Sequence, residues 1–197
     1  PSTTLIIAEG QLATTTTLKA VSEELDELDE PVILSIDTVT NGVKDTDPTK
    51  TVKTVTIVDD DTTLVTLSVG SPTIGEDGAT TTATAVTATM DKLSNRPVTV
   101  VLKKTGTARE IAVAPLSVDY TLPGSIVIPV GQFTASVMLS ANADVLNEFA
   151  ETVIIDIDTI SNGTESGTQT AIVTIIDNDV VPSVALSIAG STLIAEN

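Results

Sequence analysis

Two stretches of this chain align without a gap: "GQLATTTTLKAVSEELDELDEPVILSIDTVTNG" (10–42) and "GQFTASVMLSANADVLNEFAETVIIDIDTISNG" (131–163). The offset of 121 residues places Glu27 on Glu148, Glu30 on Glu151 and Asp37-Thr38 on Asp158-Thr159. After a loop three residues shorter in the second copy, Asp59-Asp60-Asp61 falls on Asp177-Asn178-Asp179. A third copy then begins, "VALSIAGSTLIAEN" from Val184 matching "VTLSVGSPTIGED" from Val65 with one inserted residue. The chain therefore reads as the tail of one repeat (1–61), a complete repeat (62–179) and the head of the next (180–197), with a period of about 120 residues. Whatever fold one copy adopts, the others must also be able to adopt.

Within the complete repeat the pattern is all β. Strands are expected at 64–70, 79–89, 97–104, 125–130, 132–140, 152–158 and 170–176. In "TVIIDID", Val153, Ile155 and Ile157 fall on one face and Asp156 and Asp158 on the other, the period of a half-buried strand. Gly, Pro, Asn and Asp punctuate the gaps, as in "SPTIGEDG", "LSNRP" and "ISNGTESG". Aromatic residues make up only 2 % of the chain, so the core must come from Val, Ile, Leu and Ala. The abundant Thr and Val are stiff at χ1 and suit a pleated surface. Short strands at this density predict tandem Ig-like antiparallel β-sandwiches. The acidic stretch "SEELDELDE" (22–30) and its counterpart "NADVLNEFAE" read as strand-connecting loops rather than helices.

The charge pattern narrows the function. The net charge is −18, from 27 acids against 9 bases. Nucleic acid and anionic membrane surfaces call for basic patches, so neither is an expected partner, whereas cations are. No apolar run is long enough to span a membrane as a helix. Cys and His are both absent, which removes thiolate zinc sites, thiol nucleophiles and the commonest general base. An enzyme is not expected. A glycosidase-like carboxylate pair is a poor alternative, because the acids recur in successive repeats.

In the complete repeat the carboxylates gather at four places: Glu76, Asp119, the Asp144–Glu148–Glu151 loop, and Asp177/Asp179 after the last strand. Sandwich loops collect at the two ends of the fold, so these groups are expected to converge at one end. Converging carboxylates repel, and must take up protons or a cation. A set of hard oxygens this large suits Ca²⁺, which accepts 6–8 oxygen ligands, better than the tight octahedron of Mg²⁺. Asp156, Asp158 and Asp37 are read as solvated surface.

Several segments in order resemble the Calx-β family of calcium-binding β-sandwich modules: "DYT" (119–121), "VGQFTASVML", "ADVLNEFAETVIIDI" and the closing "AIVTIIDND". The resemblance spans 62–179 and both flanking pieces. It implies calcium ligands at Glu76, Asp119, Asp144, Glu148, Glu151, Asp177, Asn178 and Asp179, with a backbone carbonyl near Leu146. The matching acids of the leading piece are Glu23, Glu27, Glu30, Asp59, Asp60 and Asp61. Ala143 stands where fuller members carry another Asp, and Asn178 replaces a carboxylate, which implies fewer or weaker sites.

The joints between repeats are short. About four residues separate Asp179 from Val184, with Pro182 among them. Such linkers do not act as flexible tethers. The expected role is a structural segment of a long secreted or cell-surface protein, bacterial, of adhesin or filament type. Calcium and neighbouring repeats are its partners, and other copies would join in a filament. The alternative is a regulatory calcium sensor, which should change shape near micromolar calcium, whereas a stalk can stay saturated at millimolar levels. Asn162 begins an N-glycosylation sequon, "NGT".

Overall fold

The computed structural model describes residues 3–76, 81–111 and 118–190. It divides into two compact units, 1–61 and 62–197.

The first unit holds strand β1 (Glu30–Ser35), a single helical turn α1 (Pro48–Thr51) and strand β2 (Val52–Ile57). Asp47 caps the turn by accepting from the Thr49 amide at 2.9 Å, and Pro48 follows it, where a missing N–H costs nothing. β1 and β2 pair antiparallel from Glu30↔Ile57 to Ser35↔Val52. Ile33 (67 % exposed) and Leu34 (47 %) lie on opposite faces of this ribbon, so neither face is covered.

The second unit carries the core. Its strands are β3 (Leu64–Val69), β4 (Thr73–Gly75), β5 (Ala83–Met90), β6 (Val98–Gly106), β7 (Tyr120–Thr121), β8 (Ser125–Ile128), β9 (Thr134–Ala141), β10 (Glu151–Ser161), β11 (Thr164–Glu165) and β12 (Thr170–Ile176). They form two five-stranded sheets, ordered β4-β12-β10-β6-β8 and β11-β3-β5-β9-β7. The predicted all-β sandwich is what the chain forms. The inward faces alternate as the sequence pattern requires: Val98 and Val100 on β6, Val153 and Ile155 on β10, and Val86 and Ala88 on β5 are all fully buried. Each buried Val or Ile contributes about 1.5–3 kcal/mol relative to exposure. The alternation on β10 lapses at a register shift between Ile157 and Thr159.

Two pairings depart from the antiparallel expectation. β4 runs parallel to β12, with Thr73↔Thr174 and Ile74↔Ile175, and β11 runs parallel to β3. The chain therefore leaves one sheet after β3 and crosses to the other at Pro72. Strands β4, β7 and β11 are only two or three residues long, too short for periodicity to reveal.

The 121-residue offset is visible in the backbone. Asn41 and Asn162 both have φ 59°, and Gly10 and Gly131 have φ 76° and 73°. The register of β10 on β12, beginning Glu151↔Ile175, repeats that of β1 on β2. The loop at 142–150 contains no helix.

Candidate metal centre

The topology explains why distant acids meet. Because β4 and β12 are parallel, they end side by side, and the Glu76 amide donates to the Ile176 carbonyl at 3.2 Å. Glu76 thus emerges next to Asp177, the first residue beyond β12. Antiparallel pairing brings the start of β10, Glu151, to the same end through Glu151↔Ile175. Asp119 arrives there just ahead of β7, where its carbonyl accepts from the Asn142 amide at 2.9 Å. The loop that follows β9 carries Asp144 and Glu148.

Two trios result. In one, Glu76, Asp144 and Asp179 each offer a carboxylate oxygen within 4.8 Å of the others. In the other, Asp119, Glu148 and Glu151 do the same. Glu76 is 5 % exposed, and its Oε2, like Oδ2 of Asp179, is buried and accepts no hydrogen bond. Leaving a carboxylate oxygen buried and unpartnered is costly, so these two atoms concentrate uncompensated negative charge in the first trio. Loss of hydration, reinforced by Asp177, Asp144, Asp179 and Glu148, pushes Glu76 up to about 7. Burial and the charges of Asp177 and Asp144 raise Asp179 as well.

The second trio already holds a cation. Arg109 Nη1 lies 3.3 Å from Asp119 Oδ2 and 3.3 Å from Glu151 Oε1, and its Nη2 lies 3.3 Å from Glu148 Oε1. Even so, Glu151 rises to about 7, through desolvation first and then the hydrogen bond and charge of Asp119, against the pull of Arg109. Glu148 is raised chiefly by desolvation, again opposed by Arg109.

The remaining expected ligands shape the loops. Asp177 Oδ2 accepts from Asn147 Nδ2 at 3.0 Å and the Glu148 amide at 3.2 Å, and its Oδ1 accepts from the Asp179 amide at 3.2 Å. Asp144 Oδ1 accepts from the Leu146 amide at 2.7 Å, closing a tight turn, and Leu146 is itself exposed. Asn178 is exposed. Asp158 is exposed on the outer surface of β10, and Asp156 accepts from Thr170 Oγ1 at 2.7 Å, so neither joins the trios. In the first unit the Glu27 amide donates to Asp59 Oδ2 at 3.2 Å, the same bond that joins Glu148 to Asp177. Glu23, Glu30 and Asp60 are exposed there, Asp61 is half-buried, and among the described residues no carboxylate trio forms in that unit. The sequon side chain Asn162 is already engaged, its Nδ2 donating to the Pro97 carbonyl at 2.9 Å and its Oδ1 accepting from Arg96 Nη1 at 3.2 Å.

Sequence reasoning missed Arg109 and Asn147. Asn147 sits inside the acidic loop, where its uncharged side chain carries no ligand signal beside Asp144 and Glu148. Arg109 belongs to "GTARE", which carries no ligand-like spacing.

No protein-family model matches the chain, and no curated protein sequence does. Among solved structures it is similar to the apo form of the Calx CBD1 domain, with TM-score 0.44 and 14% identity, covering 60% of this chain and 100% of that one. It is also similar to CBD12 from CALX1.2, with TM-score 0.43 and 14% identity, covering 58% of this chain and 45% of that one. A two-domain protein of unknown function from Bacteroides fragilis gives TM-score 0.41 and 14% identity, covering 60% of this chain and 46% of that one. The chain thus spans under half the length of the latter two.

Proposed function

We propose that residues 62–179 bind calcium through Glu76, Asp144 and Asp179, and that the module is one unit of a structural repeat array in a long secreted or cell-surface protein. The observation that carries this reading is the buried, unpartnered Oε2 of Glu76 in a trio of carboxylates that includes Asp179, whose Oδ2 is also buried and unpartnered. Oxygen-only donors with flexible loop attachment suit Ca²⁺. When bound, the ion supplies the positive charge this trio lacks. Glu76 anchors the site from the sheet, while Asp144 and Asp179 are drawn in from two loops.

The role is architectural rather than catalytic. The chain offers no His or Cys, and the acids recur with the repeat. Asp179 also begins the short stretch that leads to Val184, so a cation held there stiffens the approach to the next repeat. An adhesin stalk or filament outside a bacterial cell is the setting that uses such stiffening, with calcium always abundant.

Thermal melting of the chain with excess EDTA and with millimolar calcium tests the reading. Calcium at 1,000 times its dissociation constant is expected to add about 4 kcal/mol. In Glu76→Gln, each tenfold loss of affinity is expected to remove about 1.4 kcal/mol of that gain. A melting midpoint indifferent to EDTA refutes the calcium site.

A further inference from the structure

The second trio is chemically as acidic as the first, yet its charge is answered from within the chain. We infer that Arg109 is a built-in cation, whose guanidinium fills the space between Asp119, Glu148 and Glu151 and so confines ion uptake in 62–179 to the Glu76–Asp144–Asp179 side.

The arm that delivers Arg109 is tightly built. Gly106 ends β6 at φ 121°, and a Cβ there would stand 2.1 Å from the Thr152 carbonyl oxygen. Only glycine passes so close to β10. The Thr107 and Ala108 amides then both donate to that same carbonyl, at 3.0 Å each, which turns the chain across the start of β10. Arg109 is fixed by its own backbone as well: its amide donates to Asp119 Oδ2 at 2.6 Å, and its carbonyl accepts from the Asp119 amide at 2.8 Å. The planar fork then reaches three carboxylates from two segments, Asp119 ahead of β7 and Glu148 and Glu151 on the loop into β10, a geometry that a guanidinium meets more fully than the point charge of Lys.

The consequence is a division of labour along one loop. Glu148 and Glu151 are held by a cation that cannot dissociate, whereas Asp144, nearer the start of the loop, is left to respond to calcium. Half of the ligand loop is therefore ordered in advance of binding, which lowers the ordering cost that calcium must meet.

The inference deepens the calcium reading but fails separately from it. Calcium titration calorimetry on the 197-residue chain, wild type against Arg109→Gln, reads it directly. Arg109→Gln is expected to take up one more calcium per chain than the wild type, to melt lower in EDTA, and to recover in millimolar calcium. Arg109→Lys, which keeps the charge, is expected to keep the wild-type stoichiometry. An unchanged stoichiometry in Arg109→Gln overturns the inference while leaving the calcium reading intact. If the wild type binds no calcium, the calcium reading falls, and a site gained in Arg109→Gln still supports the role of Arg109. If Arg109→Gln is unfolded in EDTA, refolding in calcium supports the inference. Unfolding in both media overturns it, because a divalent ion should hold the same three carboxylates.

Discussion

At the scale of single residues, a buried and unpartnered carboxylate oxygen sets Glu76 apart from Asp119, which is as deeply buried, at 4 % exposure, but is paired with Arg109. The Glu76 carboxyl, at 5 % exposure, has lost most of its water and faces further negative charge. Asp158, just as acidic in composition, is exposed on β10. Glu76→Gln is therefore expected to weaken calcium binding about tenfold or more, whereas Asp158→Asn leaves a calcium titration unchanged. The pH dependence follows from the same group. The folded-state pKa of Glu76, about 7, stands above its ordinary 4.5, so between those values the metal-free folded state binds more protons than the unfolded chain. The contribution of Glu76 to metal-free stability is thus fully present below about pH 4.5 and is lost as the pH rises through about 7. Glu151, also raised from 4.5 to about 7, contributes in the same direction. With calcium the trend reverses, because the ion displaces the proton on Glu76, and affinity is expected to rise with pH up to about 7. Denaturant melts in EDTA and in calcium across this range check both signs.

Among the elements, the short parallel strand β4 has an influence out of proportion to its three residues. It transfers the chain from one sheet to the other and sets Glu76 beside the end of β12. Ile74, 1 % exposed, pins it to the core. Ile74→Ala is expected to cost about 2–5 kcal/mol in stability and to weaken calcium binding as well, since the strand carries the ligand. Ile155→Ala on β10 is expected to cost a similar amount in stability with a smaller effect on binding, and urea melts with parallel calcium titrations distinguish the two. At the end of β6, Gly106→Ala forces a Cβ into the Thr152 carbonyl, 2.1 Å away, and must shift the Arg109 arm. Its expected signature is that of Arg109→Gln, lower stability in EDTA that calcium partly restores.

For the molecule as a whole, the two units differ in what they bury. Among the described residues, every buried hydrophobic side chain lies between Val65 and Ile175. Among its described residues the first unit buries only Asp26 and Thr51, and it leaves Ile6, Ile7 and Ile33 in water. A two-stranded ribbon without a covered face is marginal in water. Limited proteolysis of the chain is expected to remove residues 1–61 quickly and to leave a resistant fragment spanning about 62–179, with calcium slowing further loss. Equal protection of the two regions in a monomer refutes this division.

The sequence by itself determined the repeat, the β character and the identity of the core faces, because each depends on neighbours along the chain. Alternation on β6 and β10 reads out directly as Val98, Val100, Val153 and Ile155 buried. It also determined that carboxylates would sit in the loops around 142–151 and 177–179, where Asp, Glu and Asn follow apolar strands. Only the tertiary structure decided how those carboxylates divide. A period of two is the same in either sheet, so it cannot say that β4 joins β12, and hence that Glu76 meets Asp144 and Asp179 rather than Asp119. Nor can it say that a glycine-turned arm from β6 brings Arg109 among Asp119, Glu148 and Glu151. Those meetings link residues up to about a hundred positions apart, and sheet pairing and close backbone approach, not local pattern, set them.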